Sequence, residues 1–306
     1  MANESALFRM RKTFPLWISS KQTRKSKNRI LGAIACAAAL VFAPLPAAQA
    51  AKDGYFAVSY SVALGGLPLG KGNFSGRVGG GAYRLKGDAM LTGIAGWLFD
   101  YKAYGEVDGH LGGDNHSPRK FRSSASDDRS TQIVSMRFSG SRVKDMEISP
   151  PVIPDKQHVT VKAGHMRGVV DPMTAMIITS TGKNGALKPS DCNRKIPVFN
   201  GRERFDLVLR FKGTSQVSGN RRNTYNGPVI VCQALYRPIA GHRKNREEID
   251  YYVNQKNLEV WLAPAGNTGL LVPVRMVVPT PIGTGVISAT GFAASYDGVK
   301  HTSATQ

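Results

Sequence analysis

Hydrophobic and polar residues alternate with a period of two along most of the chain after residue 50. Phe56, Val58, Tyr60, Val62 and Leu64 fall on one side, and small Ala and Ser residues fall between them. Successive side chains of a strand point to opposite faces of its sheet. The segment is therefore predicted to be a strand with one large apolar face.

The same alternation, or a short apolar run, recurs to the end of the chain. The segment 205–211 has the clearest half-solvated pattern, while 229–236 is apolar on both faces and predicts a more buried strand. Pro273 lies inside another apolar run, where it favours a sheet edge or a bulge. The predicted strands after the first are 83–88, 134–138, 205–211, 229–236, 258–262, 270–278 and 285–293.

Helix signals are few. Asp171 is a good N-cap residue and Pro172 suits the first helical position, which predicts a short helix over Met173–Thr179. A second candidate is Gly93–Phe99, although Gly96 weakens it. Both are too short to be stable alone, so they must dock on the sheet.

Polar segments rich in Gly, Ser and Asn predict loops at 183–195, 215–226 and 241–248. No internal repeat and no dividing linker separates the strands. The chain after residue 50 is therefore predicted to be a single β-rich domain, residues 51–306. Its predicted fold is a long antiparallel sheet with one or two short helices.

The first 50 residues have the pattern of a secretory signal. A basic stretch ends at Arg29, an uncharged apolar run follows over Ile30–Ala43, and Ala48-Gln49-Ala50 supplies the small residues that a signal peptidase recognises. We predict cleavage between Ala50 and Ala51. The expected location is the periplasm.

Two alternatives to this start remain open. The apolar run could stay attached as an anchor, although about 14 residues are too few to span a bilayer comfortably. Translation could also begin at Met10 instead of Met1. Cys36 lacks the upstream Leu of a lipidation site, and no second long apolar run predicts a transmembrane span in the mature chain.

The chain is strongly basic, with a formal net charge of +20. Removing the eight basic residues and one acidic residue of the first 50 leaves 33 Lys and Arg against 20 Asp and Glu. Such an excess favours an anionic partner, although solubility alone also explains it. For an exported protein we expect a lipid or an anionic envelope polymer and not a nucleic acid. The loop from Arg237 to Arg246 is the densest candidate, although Glu247 and Glu248 partly neutralise it.

Motifs for catalysis, metals and cofactors are absent from the sequence. No H-E-x-x-H, C-x-x-C or G-x-S-x-G pattern occurs. The stretch Gly70–Gly76 has the wrong spacing for a phosphate loop, so its glycines are assigned to turns. Asp206 is interpreted as a solvent-facing carboxylate. We therefore predict a non-catalytic protein with no cofactor and no metal.

The six histidines do not form a recognisable metal motif, and most are expected on the surface. A zinc site needs three or four convergent ligands. Two of the histidines, His158 and His165, are seven residues apart and would face opposite sides of a strand. The six are His110, His116, His158, His165, His242 and His301.

Two cysteines, Cys192 and Cys232, remain after the leader is removed. An even pair in an exported chain predicts a disulfide bond. The alternative is two buried thiols.

Six segments of the chain carry a family resemblance: Val198–Leu207, Gly227–Cys232, Tyr236–His242, Glu259–Pro264, Val272–Met276 and Pro279–Thr284. They resemble the bacterial domain-of-unknown-function family 3108, a group of predicted periplasmic proteins. The helix start Asp171–Ala175 also looks like one of that family. The resemblance implies a periplasmic, β-rich protein whose sheet is an open barrel or half-barrel, similar to the periplasmic lipoprotein carriers, with an apolar concavity. The family has no assigned activity, so no catalytic residue carries over.

Three functions stay open at this point. The first is a non-catalytic envelope protein that binds an amphipathic or anionic component and supports envelope integrity. The second is an envelope hydrolase acting on wall or lipid substrates, which requires a convergent catalytic cluster. The third is a scaffold for protein partners, which requires a large exposed apolar patch.

Overall fold

The structure, a computed structural model, describes residues 54–98, 100–113, 115–153, 156–182, 185–219, 223–296 and 299–301. The predicted signal and its cleavage site at Ala50 and Ala51 lie outside the described residues.

The described chain forms one antiparallel sheet of fifteen strands, which confirms the predicted fold class. The first seven strands form a meander, and β9 to β14 form a second. The two meanders join where β1 pairs with β14, so the chain's first and last long strands lie side by side at the centre of the sheet. The strands are β1 Gly54–Leu64, β2 Leu67–Gly79, β3 Ala82–Leu91, β4 Lys102–His110, β5 Ser117–Ser126, β6 Thr131–Ser139, β7 Arg142–Ser149, β8 Ile178–Thr179, β9 Arg194–Phe199, β10 Arg204–Val217, β11 Gly227–Ala240, β12 Glu259–Pro264, β13 Leu270–Thr280, β14 Gly283–Tyr296 and β15 Val299–His301.

The alternation predicted for β1 is present in the structure. Phe56, Val58 and Tyr60 are buried, whereas Ser59 and Ser61 between them are exposed. β11 is buried on both faces from Val229 to Cys232, as its apolar pattern predicts. Pro273 lies in β13 where the register with β12 shifts by one residue, which confirms the predicted bulge.

The sheet is curled but unclosed, because its edge strands β7 and β9 do not pair with each other. The chain between them, residues 156–180, crosses this gap, and we call it the crossing segment. It bridges Arg142 of β7 through Arg167 and Val198 of β9 through Val170. The result is a barrel-like shape in which a segment without long strands fills the seam.

The strand turns fall at the two ends of this shape. We call the end that carries the turns at residues 65–66, 127–130, 200–203 and 281–282 the first end. The loop 241–246, which follows β11, also lies there. The turns at 80–81 and 140–141 lie at the opposite end, as do residues 218–219 and 223–226 between β10 and β11.

Two hydrophobic cores stabilise the sheet. The larger core fills the concave side with residues from both meanders, among them Phe56, Phe74, Leu85 and Phe199. Met173 of the crossing segment packs against it and passes over Gly105 of β4. The apolar concavity expected from the family resemblance is therefore occupied by the protein's own side chains.

The smaller core lies between β10 to β13 and the loop that precedes β9. Cys192 and Cys232 are both fully buried in it and are joined by a disulfide bond with a Cα–Cα distance of 5.3 Å. The predicted pairing is therefore present. The bond ties the loop residues 185–193 to β11, and Ile230 of β11 and Leu262 of β12 belong to the same core.

The helices differ in part from the prediction. Helix α1 spans Gly93–Leu98, as expected, but the second predicted helix is only a 3₁₀ turn over Thr174–Met176. The prediction of a helix through Thr179 was wrong because Ile178 and Thr179 form β8 and pair with Leu271 and Leu270 of β13. Helix α2, Glu247–Asn254, was not predicted.

Two predicted loops are shorter than expected. Arg194 and Lys195 belong to β9, and residues 215–217 continue β10, so the polar side chains in these ranges lie on strands. The prediction that Gly70–Gly76 contains turn glycines was also wrong. Gly70, Gly72 and Gly76 lie within β2 and are buried, and the Phe56 ring occupies the space in which a Cβ of Gly76 would lie.

Candidate functional site

Two segments that are distant in the sequence form one basic surface. It begins at the first end, where residues 156–159 meet residues 241–246, and it continues along the seam to Arg167, which bridges Arg142 beside the turn at 140–141. Three backbone hydrogen bonds of 2.7 to 3.0 Å join residues 157–159 to residues 241–244. Six exposed cations and three histidines lie within 156–167 and 241–246, and neither range contains Asp or Glu. We call these two ranges the basic surface. Its cations are Lys156, Lys162, Arg167, Arg243, Lys244 and Arg246.

The cations of the basic surface are largely uncompensated. Arg246 pairs with Glu248 at 3.1 Å, and none of the other five forms an ion pair within the described part of the chain. Helix α2 follows directly and begins with Glu247, Glu248 and Asp250. Counting those three carboxylates, and Asp155, which directly precedes Lys156 in the sequence, leaves an excess of two positive charges.

The loop of the basic surface is fixed by its own side chains. The Arg243 guanidinium donates to Gln157 Oε1 at 2.8 Å, and Lys244 Nζ donates to the Lys156 carbonyl at 3.1 Å. Asn245 has a φ of 53°, a left-handed conformation that Asn adopts more readily than most residues. These contacts hold the positive groups together before any ligand arrives, which lowers the entropic cost of binding.

Exposed apolar residues border the basic surface. Val152 is 52% exposed and Ile153 is 82% exposed, just before the segment that begins at Lys156. The Arg202 guanidinium donates to the Pro150 carbonyl at 2.9 Å and fixes this stretch against the β9–β10 turn. Cations beside exposed aliphatic side chains suit a ligand that has both an anionic group and an apolar part.

A buried polar cluster lies inside the fold, where the crossing segment meets β3. Asp171 Oδ1 accepts the N–H groups of Met173 and Thr174 at 2.9 and 3.0 Å, and Asp171 Oδ2 accepts the Thr174 hydroxyl at 2.5 Å. The Thr174 and Tyr83 hydroxyls lie 2.8 Å apart. Asp171 and Thr174 are fully buried, so the cluster fixes the crossing segment to the barrel wall.

His116 extends this cluster. Its ring lies 5.9 Å from that of Tyr83, and its Nδ1 accepts the N–H of Gly112 at 3.3 Å. A cavity of about 20 Å³, lined by His116, Thr174 and Arg194, is large enough for about one water molecule. The hydrogen bonds of the cluster hold the crossing segment against the barrel wall.

Burial shifts the pKa values of Asp171 and His116 in opposite ways. It raises the pKa of Asp171 to about 6, against the lowering effect of its hydrogen bonds with Thr174 and Met173. Burial, together with the charge of Arg194, lowers the pKa of His116 to about 4. A group whose pKa is higher in the folded than in the unfolded state stabilises the fold at pH values below its unfolded-state pKa. This contribution is lost as pH rises through its folded-state pKa. The lowered pKa of His116 stabilises the fold above its unfolded value and is lost as pH falls.

The two shifts predict opposite pH dependences for two variants. Ionisation of Asp171 costs the wild-type protein about 3 kcal/mol between pH 4 and pH 7, a cost that Asp171→Asn does not bear. Relative to wild type, Asp171→Asn should therefore gain stability as pH rises. His116→Gln should gain about as much relative to wild type as pH falls from 6.5 to 4. Urea unfolding at several pH values tests this, and stability curves parallel to the wild type would contradict it.

Asp206 corrects the interpretation of a solvent-facing carboxylate. Its side chain is only 13% exposed, and its Oδ1 lies 2.7 Å from the Arg204 guanidinium, which is buried to a similar degree. Arg204 and Asp206 are two residues apart on one strand, so their side chains lie on the same face of the sheet. This spacing predicts the ion pair, and the sequence analysis overlooked it.

The six histidines lie in different parts of the fold and not in one cluster. His116 is buried, contrary to the expectation of surface histidines, while His158, His165 and His242 lie in the basic surface. His158 and His165 do not lie on one strand, since His165 is in a 3₁₀ turn. In the described residues, no group of three or more His, Cys, Asp or Glu side chains is placed to hold a metal ion.

The basic loop predicted at Arg237 to Arg246 begins later in the structure, because residues up to Ala240 belong to β11. Its partner segment 156–167 was missed by the sequence search. The sequence signal that could have identified this segment is its high content of Lys, His and Arg without any Asp or Glu. Within the described residues, no helix is long and apolar enough to cross a membrane.

Comparisons with known proteins identify a family but no activity. No curated protein matches the chain. A solved structure described as a beta-barrel-like protein of the domain of unknown function DUF1849, from Brucella abortus, is similar to this chain. The identity is 8%, the match covers 81% of this chain and 99% of that one, and the TM-score is 0.44. The family model described as "Protein of unknown function (DUF3108)" matches residues 57–290, which confirms the resemblance found in the sequence. The chain therefore belongs to this family of proteins of unknown function, DUF3108.

Proposed function

We propose that the protein is an exported, non-catalytic envelope protein whose basic surface binds an anionic, amphipathic envelope component and so supports envelope integrity. The observation that carries this proposal is the excess of exposed cations in residues 156–167 and 241–246, beside exposed Val152 and Ile153. The export signal and the periplasmic location are part of the proposal. The chemical class of the ligand is a lipid with a phosphate-bearing headgroup.

The packing of the interior favours binding on the surface. Phe56, Phe74, Leu85 and Met173 occupy the concave side of the sheet, so an acyl chain would have to displace the protein's own core to enter it. Displacing well-packed side chains costs several kcal/mol. Binding at the basic surface needs no such rearrangement.

Charge reversal at the basic surface should abolish binding to anionic lipid. Each Lys or Arg near an anionic membrane contributes about 1 kcal/mol. The variant Lys162→Glu, Arg243→Glu, Lys244→Glu removes three such contributions and adds repulsion, so its affinity should fall at least about a hundredfold. Binding to phosphatidylcholine vesicles with and without phosphatidylglycerol, measured by co-sedimentation, tests this.

A matched control distinguishes the effect of the basic surface from the effect of the protein's net charge. Lys71→Glu, Arg77→Glu, Lys86→Glu makes the same change in net charge at exposed positions of β2 and β3. This control should keep most of the affinity of the wild type. Equal loss in both variants would mean that net charge alone drives binding, and no loss in the first variant would remove the proposed function.

A further inference from the structure

Nine large hydrophobic side chains are exposed among the described residues, and four of them stand apart. Ile153 and Ile282 are 82% exposed, Leu67 is 71% exposed and Val152 is 52% exposed, whereas the other five are only 38–42% exposed. A single exposed apolar residue is ordinary on a protein surface. The position of these four in the fold is what makes them informative.

All four lie at the first end of the barrel-like sheet. Leu67 opens β2 directly after the β1–β2 turn, and Ile282 lies in the turn between β13 and β14. These two turns are neighbours, since the Gly65 N–H donates to the Thr284 carbonyl at 3.0 Å. Leu67 and Ile282 therefore form an apolar pair on one side of this end.

Val152 and Ile153 lie on the other side of the same end. They follow β7, an edge strand of the sheet, whereas β1 and β14 are at the sheet's centre. The curl brings the β7 edge close to the β9–β10 turn, where Arg202 contacts Pro150 and Val134 lies beside Gly201. Apolar side chains thus stand on two opposite parts of one rim, and the basic surface adjoins one of them.

We propose that the first end docks on the surface of an anionic phospholipid bilayer, with Leu67 and Ile282 inserting among the lipids while the cations of the basic surface that lie at this end, Lys156 and those of residues 241–246, hold the headgroups. This inference rests on the proposed function and specifies its partner. A single lipid molecule bound at the basic surface would leave Leu67 and Ile282 in water. A planar bilayer contacts both sides of the rim at once, and its negative headgroups complement the exposed cations.

The acidic groups at this end limit how the bilayer is contacted. The β5–β6 turn carries Asp127 and Asp128, and helix α2 begins with three carboxylates. Anionic headgroups repel these carboxylates, so the apolar pair and the basic surface make the contact with the bilayer. Binding should therefore need both parts, because neither charge nor apolar insertion alone anchors a protein firmly.

The test uses the full chain expressed with its leader and purified after export. The variant Leu67→Ser, Ile282→Ser keeps the basic surface and should bind phosphatidylglycerol vesicles roughly ten- to a hundredfold more weakly than wild type. Its binding to a soluble polyphosphate should be unchanged. The control Tyr55→Ser, Phe211→Ser removes two exposed aromatic side chains away from the first end and should bind vesicles as the wild type does.

The outcomes distinguish the two proposals. If the Leu67→Ser, Ile282→Ser variant binds vesicles as the wild type does, docking of the first end is wrong and the proposed function stands. If the charge-reversal variant binds both vesicles and polyphosphate normally, the proposed function is wrong. An environment-sensitive dye attached at Ile282→Cys gives an independent measure: its emission should shift to the blue on anionic vesicles, and an unchanged spectrum would overturn the insertion.

Discussion

Replacing both Cys192 and Cys232 by Ala is expected to lower the free energy of unfolding by about 4 kcal/mol. The bond closes a loop with a sequence separation of 40 residues, and its loss frees this loop in the unfolded chain. Both cysteines are fully buried in the smaller core, beside Ile230 and Leu262. The bond therefore constrains the unfolded chain while its sulfur atoms fill space in the folded one.

Urea unfolding of the wild type and the double variant, each with and without a reductant, measures this effect. The reductant should bring the wild type close to the stability of the double variant and leave the double variant itself unchanged. A loss below about 1 kcal/mol would show that the loop before β9 is held by its packing and that the disulfide adds little.

Phe56→Ala is expected to cost 3 to 5 kcal/mol, roughly the range for a fully buried aromatic residue. Phe56 lies on β1, at the centre of the sheet, opposite Gly76 of β2 and Ala294 of β14. Its ring lies 5.6 Å from that of Phe74 and fills the space above Gly76. Truncation would leave a cavity at the point where the two meanders join.

Tyr55→Ala is the matched control, since Tyr55 precedes Phe56 on the same strand but is 38% exposed. Its effect should stay below about 1 kcal/mol, because little area returns to water. Chemical denaturation of both variants measures the difference. A Phe56→Ala variant within 1 kcal/mol of the wild type would mean that the concave side is loosely packed and able to adapt, which would reopen it as a binding cavity.

Eight of the fifteen strands were predicted because their signal is local, whereas the others, among them the more polar β4 and β5, were not predicted from the sequence. The alternation from Phe56 to Leu64 and the apolar run at Val229 specify which faces are buried, whatever the strand order. Helix α2 was missed although its sequence carries helix signals, with three acidic residues in the first turn and Ile249, Tyr252 and Val253 at helical spacing, because the segment up to Glu248 had been assigned to a polar loop. The 3₁₀ turn at Thr174 is shorter than predicted because pairing of Ile178 with Leu271 competes for the same residues.

Only one of the two segments of the basic surface could be predicted from the sequence. The loop at His242 to Arg246 is dense in cations and could be found by inspection. Its partner at Lys156 to Arg167 is about eighty residues away, and hydrogen bonds between residues 156–159 and 241–244 bring the two together. Likewise, nothing in the sequence places Leu67 beside Ile282, because that proximity depends on the pairing of β1 with β14.

The salt dependence of binding to phosphatidylglycerol vesicles tests the central claim most directly. If the basic surface holds anionic headgroups, wild-type affinity should fall steeply as salt rises, because exposed charges are screened. The variant Lys162→Glu, Arg243→Glu, Lys244→Glu should bind weakly at every salt concentration. Wild-type binding that is insensitive to salt, or equal to that of this variant, would contradict the account.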